Sequence, residues 1–287
     1  MDNIRIVLVR TYASGNIGST ARAMKTMGLK HLSLVAPRLF PDHEATKMAT
    51  RGAETVLNRA RVVDSLYDAV RDCEVVIACT ARSRSFNLPM LSTEQAAKLL
   101  YSTANRTARP STEEDSSPAP SQSSSSSSSS PSPSVALVFG PERNGLDGAD
   151  MELAQYRVSI PAHPDSTSLN LASAVQILSY ELRKYHIIQN DENALDREET
   201  QTMDSHNSSS SSSTSSTRKK MPTIAQREGF YEVLASVLSN SGFAHADNPR
   251  QLMQKMRHLL ARAEPDLDEL NLLRGALAAI RRHLPKK

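Results

Sequence analysis

Tryptophan is absent from this 287-residue chain, and aromatic residues of all kinds make up only 4% of it. So few rings exclude base stacking on aromatic platforms as the main way of holding single-stranded nucleic acid. Cysteine is nearly absent too. Cys73 and Cys79 are the only two, and they form no CxxC pair. That excludes a disulfide framework and a cysteine-built structural zinc site, and it suits a reducing compartment. No apolar run approaches the ~20 residues that cross a bilayer. The opening residues, Met1 to Arg5, lack the basic-then-apolar layout of a signal peptide. The eight histidines are scattered, and His163 has no partner in sequence that would make it a ligand. A soluble, cytoplasmic protein is therefore expected, with no metal and no membrane partner.

What is present is enough apolar residue, 39%, to build a real core. The charge is uneven. Thirteen of the 34 Lys/Arg but only seven of the 31 Asp/Glu lie from Arg218 onward, which leaves 21 against 24 before it. A basic C-terminal piece on a mildly acidic body fits an arm that approaches phosphates, or a solvated basic helix face.

Two stretches break the pattern. Residues 103–134 contain three prolines ahead of eight consecutive serines, Ser123–Ser130, and 190–217 pass from acidic residues into Ser208–Ser213. Neither can bury enough apolar surface to offset chain entropy, so both are expected to be disordered. The first reads as a loop insertion within a domain spanning 1–189. The second forms the core of a linker, 190–220.

Within 1–189, β-branched runs predict strands at Ile4–Val9, Leu32–Val35, Val75–Cys79, Val135–Phe139 and Tyr156–Ile160. Helical patterns lie between them, ending in a long helix over Ser168–Ile188. Strands alternating with helices predict an α/β fold, a mostly parallel sheet with helices on both faces. Residues 221–287 carry no strand signal. Three apolar stripes, through Phe230–Val237, Leu252–Leu260 and Leu267–Ile280, predict a small all-α module whose leucines form its core, with Asn248-Pro249 opening the second helix.

Candidate chemistry sits where strands run into loops. After the first strand comes "SGNIGSTARAMKTMG", Ser14–Gly28. Its spacing is neither GxGxxG nor a P-loop. Its remaining readings are a helix N-terminus that receives an anion beside Arg22, or a tight turn with glycines at positive φ and an arginine on a solvated face. "VALVFGPERNGL" places Gly140, Glu142 and Arg143 at a sheet edge, where open α/β sheets bind ligands. "IPAHPDSTSLNL" runs from a strand into a helix, with Ser168 as candidate cap and Asn170 beside it. Cys79 reads as a small buried residue rather than a nucleophile.

These segments, with "CTARSR" after the third strand, resemble the three motifs of the SPOUT methyltransferases, and most of all the TrmJ-type tRNA 2′-O-methyltransferases. The C-terminal helical sequence is similar to that group's extension. The likeness spans nearly everything outside the two serine tracts, which are themselves unusual for the family. It implies a C-terminal trefoil knot in the α/β domain. S-adenosylmethionine would be held by Cys79, Thr80 and Ala81, by Gly140, and by Ile160, Ser168, Leu169 and Asn170. The resemblance also implies a homodimer that methylates the ribose of tRNA nucleotide 32. Arg22 would steer the reacting hydroxyl, Asn16 would fix the ribose, and Glu142 would hold the loop or Arg22. Arg82 and Arg84 would touch tRNA phosphates, if they are not simply solvated. Ribosomal RNA as substrate, or a non-catalytic RNA binder on the same scaffold, are the alternatives.

Overall fold

A computed structural model describes residues 1–81, 88–107, 135–203, 220–243 and 249–283. Seven strands are formed: β1 (Ile4–Val9), β2 (His31–Val35), β3 (Arg61–Val63), β4 (Val75–Cys79), β5 (Met90–Leu91), β6 (Val135–Phe139) and β7 (Tyr156–Val158). They pair in the order β3-β2-β1-β6-β4-β7-β5, and every pairing is parallel. Ile6 stands opposite Leu32 on one side and Leu137 on the other. Parallel neighbours require crossovers. These are built from α1 (Ser14–Met27), α2 (His43–Met48), α3 (Glu54–Leu57), α4 (Leu66–Val70), α5 (Thr93–Thr107) and α6 (Gly148–Glu152), and α7 (Leu171–Met203) follows the last strand.

Alternation along the central strands makes two apolar layers. Ile4, Ile6, Leu8, Ile77, Leu137 and Phe139 face α1, α2, α5 and α7, whereas Val7, Val9, Val76, Ala136 and Val138 face α4 and α6. The expected α/β fold with helices on both faces is what forms. Arg5 falls on the second face and is buried there, a costly place for a lone charge. Asp72 resolves this with a bidentate pair at 2.7 and 2.8 Å.

Several boundaries differ from expectation. β3 and β5, the two edges of the sheet, are too short to carry a periodic signal. β7 stops at Val158, and α7 starts at Leu171 instead of Ser168. That helix also continues to Met203, into the expected linker, because Glu, Ala, Leu and Arg there are good helix formers whatever their polarity. α5 reaches Thr107, its buried Ala96, Ala97, Leu100 and Ala104 at helical spacing. The remainders of the serine-rich stretches, 108–134 and 204–219, lie outside the described residues.

The C-terminal region is three helices, α8 (Ile224–Asn240), α9 (Pro249–Ala263) and α10 (Leu267–His283). Thr223 opens α8 through a capping box with Gln226. Asn248, the expected cap of α9, lies outside the described residues. The buried cluster among these helices is small: Phe230, Tyr231 and Leu270, with Leu234, Met253, Leu260 and Leu277 partly covered. Leu259, Leu273 and Ile280, expected inside, are exposed. They share their stripes with Leu260, Leu270 and Leu277, which are at least partly covered, so each stripe is buried only in part. The module docks on the sheet domain instead. Ile224 joins the second apolar layer, and the N–H groups of Ile224 and Ala225 donate to the Cys73 and Arg71 carbonyls at 2.9 and 3.0 Å.

Candidate active site

The loops that leave β1, β4, β6 and β7 gather at the C-terminal edge of the sheet. A cleft of about 280 Å³ opens between the last three. Seven of the eight positions expected around the cofactor line it: Cys79, Thr80 and Ala81 after β4, Gly140 after β6, and Ile160, Ser168 and Leu169 after β7. Its walls are apolar where Phe139, Ile160 and Leu171 contribute, and polar at the loop backbones. The loops are braced. Thr80 N–H donates to the Val158 carbonyl at 3.0 Å, and Gly145 N–H to the Pro141 carbonyl at 2.9 Å. Gly140 has no room for a side chain, since a Cβ there would lie 2.3 Å from the Leu146 nitrogen. Burial pushes the Cys79 thiol up to about 12, so it stays protonated and is no nucleophile at neutral pH. A much smaller cavity, about 60 Å³, lies under the docked helical module, near Tyr156 and Arg227 and away from these loops.

Asn170, the eighth position, does not line the cleft. It is the cap of α7 in place of Ser168, its Oδ1 accepting from the Ala172 and Ser173 N–H groups at 2.9 and 3.3 Å. Its Nδ2 donates to Asn16 Oδ1 at 3.0 Å, and Asn16 Nδ2 donates in turn to Glu142 Oε1 at 2.8 Å. Glu142 also accepts from the backbone N–H groups of Tyr12 and Ala13 at 2.9 and 3.1 Å. The three loops singled out in the sequence are thus joined by one hydrogen-bond chain. Burial alone would raise the Glu142 pKa. The N–H donors of Tyr12, Asn16 and Ala13 outweigh it and hold the carboxyl below the usual glutamate range.

Each reading of the opening glycine turn needs correction in part, while the exposure of Arg22 is as the second expected. The loop before α1 holds an anion, but that anion is the protein's own Glu142, bound by Tyr12 and Ala13. Gly15 and Gly18 lie inside α1 and are not at positive φ. Their small size serves packing: a Cβ on Gly18 would lie 2.0 Å from the Ala45 carbonyl oxygen of α2, and one on Gly15 would lie 2.8 Å from Glu44 Oε1.

Arg22 is exposed on α1, beyond the rim of the cleft. Glu142 does not touch it. Among the described residues its guanidinium has no hydrogen-bond or ionic partner, and its backbone carbonyl accepts from Thr26 Oγ1 at 2.9 Å. Arg82 and Arg84 lie outside the described residues. Among the described residues no group of three or more His, Cys, Asp or Glu is arranged to hold a metal, and no helix is long and apolar enough to cross a membrane.

Sequence reasoning gave no role to Tyr12, which is 46% exposed at the rim between the guanidiniums of Arg38 and Arg143. A lone aromatic between a buried strand and a glycine turn, in a chain with so few rings, was the available signal.

The SpoU rRNA Methylase family model matches residues 3–180, and the model of the tRNA methyltransferase TrmJ C-terminal domain matches 225–287. A Yersinia pestis protein named tRNA (cytidine/uridine-2′-O-)-methyltransferase TrmJ is 39% identical over 280 residues, covering 98% of this chain and 92% of its own. Among solved structures, TrmJ from Z. mobilis superposes with a TM-score of 0.70 at 28% identity, over 96% of this chain and 98% of that one. A probable methylase family protein from Haemophilus influenzae gives 0.54 at 33% identity, over 98% and 97%. With one family model matching the sheet domain and the other the helical extension, and with relatives alike over nearly the whole chain, the chain is a methyltransferase of the SpoU family and belongs, within that family, to the TrmJ group.

Proposed function

We propose that the protein transfers a methyl group from S-adenosylmethionine to a ribose 2′-hydroxyl of tRNA, at nucleotide 32 of the anticodon loop. The observation that carries this reading is the chain Asn170–Asn16–Glu142, which fixes the α1 loop against the cleft. The cleft suits the cofactor. Its volume of about 280 Å³ is near the lower end of small-molecule pockets, and it combines apolar walls with backbone groups from three loops. Thr80, Ala81, Gly140, Ser168 and Leu169 would hold the cofactor there, with Ile160 and Phe139 keeping water out. When bound, it supplies a methyl group activated on a sulfonium.

In-line displacement draws much of its rate from positioning. Asn16 is well placed for that work, because Asn170 and Glu142 each engage one end of its amide and leave a second N–H and lone pair for a ribose hydroxyl. The role of Arg22, whose guanidinium has no partner among the described residues, is to orient the flanking phosphate and stabilise negative charge as it develops on the attacking oxygen. A homodimer would bring the Arg22 of one protomer to the cleft of the other; the exposed Tyr180, Ile187 and Ile188 on α7 offer an apolar face for it. A knotted path is supported by the strand order, in which the late strands β6 and β7 are inserted between earlier ones. Arg82 and Arg84 complete the reading as tRNA contacts.

The test is direct. Arg22→Ala should abolish methyl transfer to tRNA, read by mass spectrometry of its nucleosides, while calorimetry finds S-adenosylmethionine affinity within a few-fold of wild type. Near-normal turnover would remove Arg22 from the reaction. Absence of any binding heat in the wild type would leave a non-catalytic RNA binder.

A further inference from the structure

Three loops meet at Tyr12. Its own N–H donates to Glu142 at 2.9 Å, and the Thr11 carbonyl beside it accepts from Arg38 N–H at 3.0 Å. Arg10 N–H reaches back to the Val35 carbonyl at 2.8 Å. Arg10 and Ala36 hold φ of 48° and 41°. That strained region for non-glycine residues persists only where surroundings impose it. The outcome is a ring with the Arg38 guanidinium carbon 4.0 Å from its centroid and that of Arg143 at 4.8 Å.

The charges here are unbalanced. Arg10, a neighbour on the same edge, is neutralised by Asp147 and Asp150. Arg38 and Arg143 are exposed and have no carboxylate partner among the described residues. Two cations gathered on one ring repel each other, and the ring's attraction for each offsets this only in part. A polyanion laid across both would remove the repulsion. Arg143 also lines the cleft, so such an anion would lie at its mouth.

We propose that Tyr12 positions Arg38 and Arg143 as a clamp on the sugar–phosphate backbone of the substrate RNA beside the reacting ribose. The inference rests on the RNA methyltransferase reading. Because the ring is already engaged by the guanidiniums, the clamp grips backbone and does not stack a base. Its contribution is independent of RNA sequence.

The experiment uses the full chain, unmodified tRNA transcripts and fluorescence anisotropy over a range of salt, with methyl transfer measured in parallel. Arg38→Gln should weaken tRNA binding roughly tenfold and lower the slope of log affinity against log salt by about one. Tyr12→Ala should do much the same by releasing both guanidiniums, and Tyr12→Phe, which keeps the ring, should restore binding. S-adenosylmethionine affinity should stay put in all three. If wild-type protein methylates tRNA while Arg38→Gln and Tyr12→Ala, shown folded by their melting curves, bind it with unchanged affinity and salt slope, the clamp is wrong and the activity stands. If the predicted binding losses are seen but the wild type transfers no methyl, the clamp stands and the activity is wrong.

Discussion

The sheet domain and the C-terminal helical module are held together in opposite ways. The first has two continuous apolar layers and backbones pressed so closely that Gly18 and Gly140 admit no side chain. The second has a buried cluster of only three residues, exposed leucines, and a glycine on α10, Gly275, with nothing within 4 Å of where a Cβ would go. It borrows support from the first, through Ile224 in the sheet's apolar layer and Arg227 Nη1 donating to the Glu74 carbonyl at 2.9 Å. A site that must hold a reacting geometry needs the rigid kind of packing. The helical module is the open kind, with most of its described charged side chains exposed.

That contrast can be broken most sharply at Gly18. Gly18→Ala puts a methyl group 2.0 Å from a backbone carbonyl, and backbone cannot swing aside as a flexible side chain does. α2 must shift, at a cost of about 1–3 kcal/mol, seen as a lower denaturant midpoint. A wild-type midpoint would mean that α1 and α2 are not in tight contact.

The next effect in size is at Glu142. Glu142→Gln loses the charge that Tyr12, Ala13 and Asn16 all serve, and should cost about 1 kcal/mol at neutral pH. The sign with pH follows from the lowered carboxyl. A group whose pKa is depressed on folding stabilises above its unfolded value, here near 4.5, and that stability is lost as pH falls through the folded value. Wild type and variant should therefore differ at pH 7 and converge as the pH falls below 4.5 through the lowered folded value. Parallel curves down to acid pH would show that the carboxylate is not bound in this way.

The strands that build the site were legible because each is a buried β-branched run: β1, β4 and β6 begin and end where periodicity placed them. So were seven of the eight positions named around the cleft, because the resemblance to SPOUT methyltransferases pointed to them motif by motif. The order of the strands was not legible, since it rests on pairings between segments more than a hundred residues apart, such as Ile4 with Val135. Nor was the purpose of Gly18, whose reason is a carbonyl 27 positions later on a helix with no strong apolar pattern. Tyr12, Arg38 and Arg143 come from three loops, and no spacing rule connects them. Asn170 shows the reverse case: it was named for one role, and geometry gives it another, capping α7 while holding Asn16.

The smallest predicted effect has the opposite sign and tests the open side of the comparison. Gly275 lies exposed in the interior of α10, and its φ is helical. Glycine in such a place loses more chain entropy on folding than alanine would, and here no contact needs its small size. Gly275→Ala should therefore stabilise the module by about 0.5–1 kcal/mol, read as a rise in the melting temperature followed by circular dichroism. The same substitution type that costs the sheet domain its packing would then strengthen the helical module. A destabilising result would mean that α10 meets a neighbour at Gly275, and the module would have to be counted as closely packed after all.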